Sequence, residues 1–354
     1  MYKRQESTSN ATQARLRFAV AEIESNLRVK DIRVLTNNLT VTNGTDVSNN
    51  TNVTFNSTPY TLYWVGGTSD KNGEFTTGDN NNWSNPDNWS ITDGVYSGKN
   101  SYLPGIEDAV IFNANSYTAI ANSTILDIDG EARSITFATV TNNPTFTGTS
   151  TRTLTVAGDF ILAPTLTNNH LGSINLTGSS AAGPFVITTA GQTLADLTVH
   201  SVSKEYDLTD ALTVSNQLGL ESGIIDFNGF TVTTQTLNAS INTANTRTLN
   251  FNGSLVNITG GGAYTFVQGS GGEEQIVVNM EDDGLTNFTI SGGAGATIDF
   301  IGAVETVQGR FGSRTKTLPS LRFSGTTKQA IIFTRVGFGC SGYNVTFGDI
   351  EVVN

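Results

Sequence analysis

The chain has 354 residues with a formal net charge of −12, 14% charged residues, 37% hydrophobic residues and 37 glycines. So few charges, with Gly, Asn, Ser and Thr crowding every segment, exclude a coiled coil and most helical folds and favour short strands joined by tight turns. The acidic balance argues against nucleic acid as a general partner, the single Cys340 permits no internal disulfide, and no apolar run reaches the roughly 18 residues that a membrane span needs.

In chain order, "MYKRQ" at 1–5 reads as the translation of a sequencing adapter, a scar of metagenomic assembly. Residues 11–27, "ATQARLRFAVAEIESNL", place Leu16, Val20, Ile23 and Leu27 at helical spacing, which predicts a short amphipathic helix within an attachment or cap segment, 1–35. A Thr/Asn-rich β linker is expected over 36–59, with "NG" at 43–44 as turn chemistry. Bases gather at two places, seven in 1–33 and six in 310–336, so the body between them is acidic.

Residues 60–118 stand apart. All three tryptophans, Trp64, Trp83 and Trp89, fall within 26 residues, the last two in the polar stretch "NNNWSNPDNWS". Around them run "YTLYWVGG", "YLPGIEDAVIF" and "NANSYT", two apolar strands and a Pro-Gly turn. From 119 to 354 short alternating strands recur with Gly or Asn at the corners, and "TRTLTVAGDF" (151–160) returns as "TRTLNFNGSL" (246–255). Such self-similarity, with rungs of roughly 20–25 residues, signals stacked coils. The expected fold is therefore all-β: a β-solenoid, a right-handed parallel β-helix, in which Val, Ile, Leu and Phe form inward ladders and Thr, Ser and Asn face out.

The order YWVGG, NWS, DNWS, LP, DAVIF, followed by a Thr/Gly-rich repetitive tract, resembles surface adhesin-like solenoids of Bacteroidetes and tail or fibre-like structural proteins of marine bacteriophages, over about residues 60–350. The resemblance implies a displayed β-helix without established catalytic residues. Trp64, Trp83, Trp89 and Phe112 would then open the solenoid, either as a cap over an exposed sheet end or as a platform for glycan stacking.

Chemistry-bearing residues are sparse. His170 and His200 lie far from Cys340 in sequence and share no zinc-like spacing, and "GGG" at 260–262 opens no helix. Carboxylates remain: Glu221, with Asp226 and Asp299 in two "IDF" contexts, are the candidates for paired-acid glycoside chemistry. "DIDGE", with Asp127, Asp129 and Glu131 at alternate positions, and "EDDG" at 281–284 offer the hard oxygens that calcium favours, without completing a known loop. No other cofactor is expected.

These readings point to a non-enzymatic structural or host-recognition protein of a phage tail or fibre, located in the virion, whose partners are other virion proteins or a host-surface glycan, with a homotrimer as one assembly. A bacterial cell-surface adhesin is the alternative within the same binding class. A polysaccharide-degrading, tailspike-like enzyme is the alternative in a different class.

Overall fold

The structure is a computed structural model. It describes residues 14–17, 22–25, 28–36, 39–42, 45–56, 59–66, 81–95, 103–117, 122–180, 183–239, 245–260, 278–281, 288–302, 306–312, 316–325, 330–333, 345–347 and 349–353. More than half of those residues are strand, and nearly every strand pairs in parallel with one a coil away in sequence, so the chain is a β-solenoid. No helix among them is long and apolar enough to cross a membrane. The chain divides into two compact units, one of 1–148 with 165–169 and one of 149–164 with 170–354.

The first unit begins with a small three-sided coil. Ala14–Arg17 pairs in parallel with Ile32–Thr36, Glu22–Ser25 with Leu39–Thr42, and Arg28–Lys30 with Thr45–Ser48. Val29, Ile32, Val34, Leu39 and Val41 fill its interior, with Leu16 and Val53 packed against them. This corrects the expected helix over 11–27, where the chain forms two strands. The stripe at helical spacing coexists with the period-2 patterns Arg-Leu-Arg (15–17) and Glu-Ile-Glu (22–24). Pairing with strands 17 and 18 residues downstream selected the second pattern, a case of tertiary context overriding local propensity. The same pairings run across the expected boundary between 35 and 36.

The second unit winds around three faces, each a ladder of inward apolar residues. Leu154, Ile174, Leu197, Leu218 and Leu237 stack on the first. Phe185, Tyr206, Ile225, Leu249 and Ile290 stack on the second. Leu194, Val214, Thr234, Ile258, Phe300 and Phe323 stack on the third. All are buried, each apolar member contributing about 1.5–3 kcal/mol. Thr234 is the polar exception, and its hydroxyl is satisfied by the carbonyls of Asn216 and Thr236. The step between paired residues is 20 from Leu154 to Ile174 and 23 from Ile174 to Leu197, then lengthens to 42 from Ile258 to Phe300. The inward residues stay in register across each of these steps.

The recurring "TRTL" text does not mark equivalent positions. Leu154 lies on the first face and Leu249 on the second, so the text repeats because every face starts its strand with the same alternation. Arg247 is wholly buried and donates from Nε to the carbonyl of Asn245 at 3.2 Å and from Nη1 to that of Ala239, whereas Arg152 is only half-buried.

Corner geometry sets where glycine is obligatory. Gly223 has φ +89°, and a Cβ there would fall on Ser201 Oγ and 2.7 Å from the Ser201 carbonyl. Gly191 has φ +80° with nothing within 4 Å of the same position. Gly191→Ala should therefore cost about 1–2 kcal/mol, the left-handed backbone penalty alone, and Gly223→Ala measurably more in chemical denaturation. Equal losses would mean that neighbouring coils separate freely at this corner.

Candidate functional site

The tryptophan segment is built by one stretch of chain that pairs twice. Asn82 bridges Ile125 in parallel, with the Trp83 amide donating to the Ile125 carbonyl at 2.7 Å. After a 3-10 turn at Pro86–Asn88, Trp89–Ser90 lies antiparallel to Thr61–Trp64. That strand pairs in parallel with Ala109–Phe112 on its other side, so both of its edges are engaged and the parallel ladder is closed by a reversed strand.

The three indoles are at most 1% exposed. Trp89 meets Trp64 and Trp83 edge-on at 4.9 and 4.7 Å between ring centroids, Phe112 lies 5.9 Å from both Trp64 and Trp89, and Phe137 stacks on Phe112 at 4.1 Å. Such edge-on pairs add about 0.5–1.5 kcal/mol each beyond area burial. Trp89 Nε1 donates to the Trp83 carbonyl at 3.0 Å. The polar residues around the indoles satisfy the tight local backbone: Asn88 Nδ2 donates to the Asn82 carbonyl, while Ser84 donates from its amide and hydroxyl to Asp127 at 2.9 and 2.5 Å. In this arrangement no indole face is open for a sugar to stack on.

Asp127 thus fastens the tryptophan segment to Ser123–Leu126, and its carboxylate is committed there. Asp129 is exposed and Glu131 half-buried. Of "EDDG", Glu281 ends the strand Val278–Glu281, while Asp282 and Asp283 lie outside the described residues, as does Cys340.

The three candidate acids lie apart. Glu221 follows the first-face strand and accepts a 2.5 Å hydrogen bond from, or gives an ion pair with, His200 Nδ1 on the preceding coil. Asp226 faces outward on the second face. Asp299 belongs to the third, is 3% exposed, accepts from Ser324 Oγ at 2.8 Å, and lies 3.2 Å from Arg322 Nε. The other histidine, His170, is buried, and desolvation holds its pKa below the usual imidazole value.

A different acid group does converge. Glu205, Asp207 and Asp226 each place a carboxylate oxygen within 4.8 Å of the other two. Glu205 and Asp207 flank the inward Tyr206, so strand alternation puts both on the outer face, and the ladder sets Asp207 beside Asp226. Asp226 is held from the next turn and coil: the Asn228 amide donates at 2.7 Å, Asn250 Nδ2 at 2.7 Å, and Asn252 Nδ2 to both oxygens at 2.9 Å. Desolvation first, then the neighbouring carboxylates, raise the pKa of Glu205, and desolvation followed by Asp226 raises that of Asp207. Three converging hard oxygen donors are what a divalent cation such as calcium would use, and the raised proton affinity of Glu205 and Asp207 is what general acid chemistry would use.

The text "KEYDL" carries the local half of this signal, two acids at alternate positions. The other half is the 19-residue step from Asp207 to Asp226, which only the coil path supplies.

Two measurements follow. Trp89→Ala should cost about 3–5 kcal/mol in denaturant unfolding; an unchanged midpoint would place Trp89 outside the packed cluster. Because the native state binds protons at Glu205 and Asp207 more tightly than the unfolded chain, their contribution is favourable below the ordinary carboxylate range and is lost as pH rises through the raised values. Asp207→Asn should therefore stabilise the metal-free protein at neutral pH, by roughly 0.2–1 kcal/mol, with the gain vanishing on acidification. A loss of stability at neutral pH would contradict the repulsion.

No protein-family model matches the chain, and neither does any curated protein or any solved structure.

Proposed function

We propose that this chain is a non-enzymatic structural and surface-recognition protein of the phage tail or fibre type, displayed on a virion. The observation that carries this reading is the closed ladder at the tryptophan segment, where the chain invests its three indoles in sealing a strand rather than in an open binding face. Inward ladders on three faces give the stiffness that a shaft requires. The resemblance of the YWVGG to DAVIF region to tail and adhesin-like solenoids supports the same class. A bacterial surface adhesin shares every one of these features, and the partner in either setting is a host-surface glycan or a neighbouring structural protein.

A second reading draws on the convergent acids. Glu205 and Asp207, two carboxyls with raised proton affinity, converge with Asp226 on one outer face, and paired carboxyl groups are what glycosidases use. On that reading the chain cleaves a surface polysaccharide at Glu205, Asp207 and Asp226.

Incubation of the full chain with capsular and alginate-like polymers, followed by sizing of the polymer and co-sedimentation with intact bacteria, separates the two. The structural reading expects binding to cells or polymer with no chain shortening, and the same binding by Asp226→Asn. Release of oligosaccharides that Asp226→Asn abolishes would replace it with the enzymatic reading.

A further inference from the structure

Two corners of the second unit are built alike. The turns Phe227–Phe230 and Phe251–Ser254 are each closed by the fourth amide donating to the first carbonyl, at 2.9 and 2.8 Å. Their central residues are Asn228-Gly229 and Asn252-Gly253, with φ of +52°, +78°, +44° and +80°. Positive φ at both central positions is the type I′ condition, which selects Asn-Gly. The two turns stack one coil apart, and Phe227 and Phe251 meet beneath them edge-on at 5.3 Å. Both asparagines are exposed.

We propose that Asn252-Gly253 is a self-modification site, and that its conversion switches the acidic face from a held to a repelling state. The step is intramolecular. The Gly253 backbone nitrogen attacks Asn252 Cγ, forming the C–N bond of a succinimide. The Cγ–Nδ2 bond breaks, and Nδ2 leaves as ammonia with the proton given up by Gly253. Water then opens the ring to aspartate or isoaspartate. Glycine leaves the approach free of a Cβ, and around Gly253 nothing lies within 4 Å of where one would stand. The amide of Gly253 is only weakly held, by the Gly292 carbonyl at 3.4 Å.

What distinguishes Asn252 from Asn228 is the consequence. The Asn252 carboxamide donates to both oxygens of Asp226, whose carboxylate lies within 4.8 Å of those of Glu205 and Asp207. Deamidation replaces that donor with a carboxylate and sets a fourth negative charge against three. The Asn228 carboxamide instead donates to the Leu208 carbonyl at 3.2 Å, so its conversion removes a hydrogen bond to a neutral carbonyl and leaves the Asn252 donor to Asp226 in place. Age or alkaline exposure thereby weakens one defined corner, and among the described residues the other groups that donate to Asp226, Asn250 and the Asn228 amide, are uncharged.

The full chain, incubated at mildly alkaline pH and sampled over days, is read by peptide mass mapping and by melting temperature. The expected result is deamidation at 252, with a fall in melting temperature that tracks it. Asn252→Asp, the mimic of the product, should melt lower from the outset, by about 2–4 °C per kcal/mol of repulsion, and recover below the carboxylate range. Asn252→Gly, which keeps the left-handed turn and has no carboxamide, should hold its melting temperature through the incubation. Either of two incubation results overturns the proposal: no conversion at 252 over a time that converts the same dipeptide in the urea-unfolded chain, or conversion with no change in melting. An Asn228→Asp protein that melts as low as Asn252→Asp would also overturn it, since the effect would not then depend on Asp226.

Discussion

The parallel ladder between successive coils is the constraint on which everything else rests. Each strand has two edges, and a backbone edge left unpaired in a buried sheet forfeits its hydrogen bonds and invites association. A coil solves this only if the next one returns to the same register, because a slip of one residue turns every inward side chain outward. The unbroken run from Leu194 through Val214, Thr234, Ile258 and Phe300 to Phe323 shows the register holding while the step grows from 20 residues to 42. Between the described strands, the corners at Asn228-Gly229 and Asn252-Gly253 are places where left-handed backbone, glycine and exposed polar groups collect.

Closing the ladder is a separate problem, and the tryptophan segment solves it by changing strand direction. A parallel neighbour for Thr61–Trp64 would need another whole coil, whereas an antiparallel one needs only a turn. Trp89–Ser90 supplies it within the same segment that has just paired through Asn82 with the adjoining sheet. The apolar side is then filled by the largest side chains available, and the Asn and Ser residues between them satisfy a backbone that winds too tightly for regular pairing. The polar setting of Trp83 and Trp89 is the chemistry of that winding, and the indoles themselves face inward.

The all-β solenoid was legible because its two signals, period-2 alternation and Gly or Asn corners, are local. The N-terminal segment reads as a helix in the sequence because Leu16 and Ile23 satisfy both periods, and the deciding contact, with strands around Ile32 and Leu39, is not local. The acid group shows the same division. Asp226 stood out in its "IDF" context, but its partners Glu205 and Asp207 become neighbours only through the coil path, while Glu221 and Asp299, equally conspicuous in the text, are carried to other positions around the coil. Recurrent text misled in the same way: "TRTL" marks the start of a strand, and three faces start strands alike.

In a solenoid, side chains that meet on the surface come from successive coils, so any surface group is assembled across a ladder rather than along a strand. Asp207, Asp226 and Asn250 are consecutive members of one outer ladder, and Asn252 reaches back to it from the corner. Parallel pairing stacks like positions on like, and a sequence that favours acids on one face therefore concentrates charge unless amides are interleaved. Here Asn250 follows the two aspartates on the ladder and joins Asn252 in holding Asp226, so three carboxylates converge without a basic residue among the described groups that bind Asp226. The stability of this face depends on those amides remaining amides, which ties its charge state to the chemistry of the asparagines that the turn geometry itself demands.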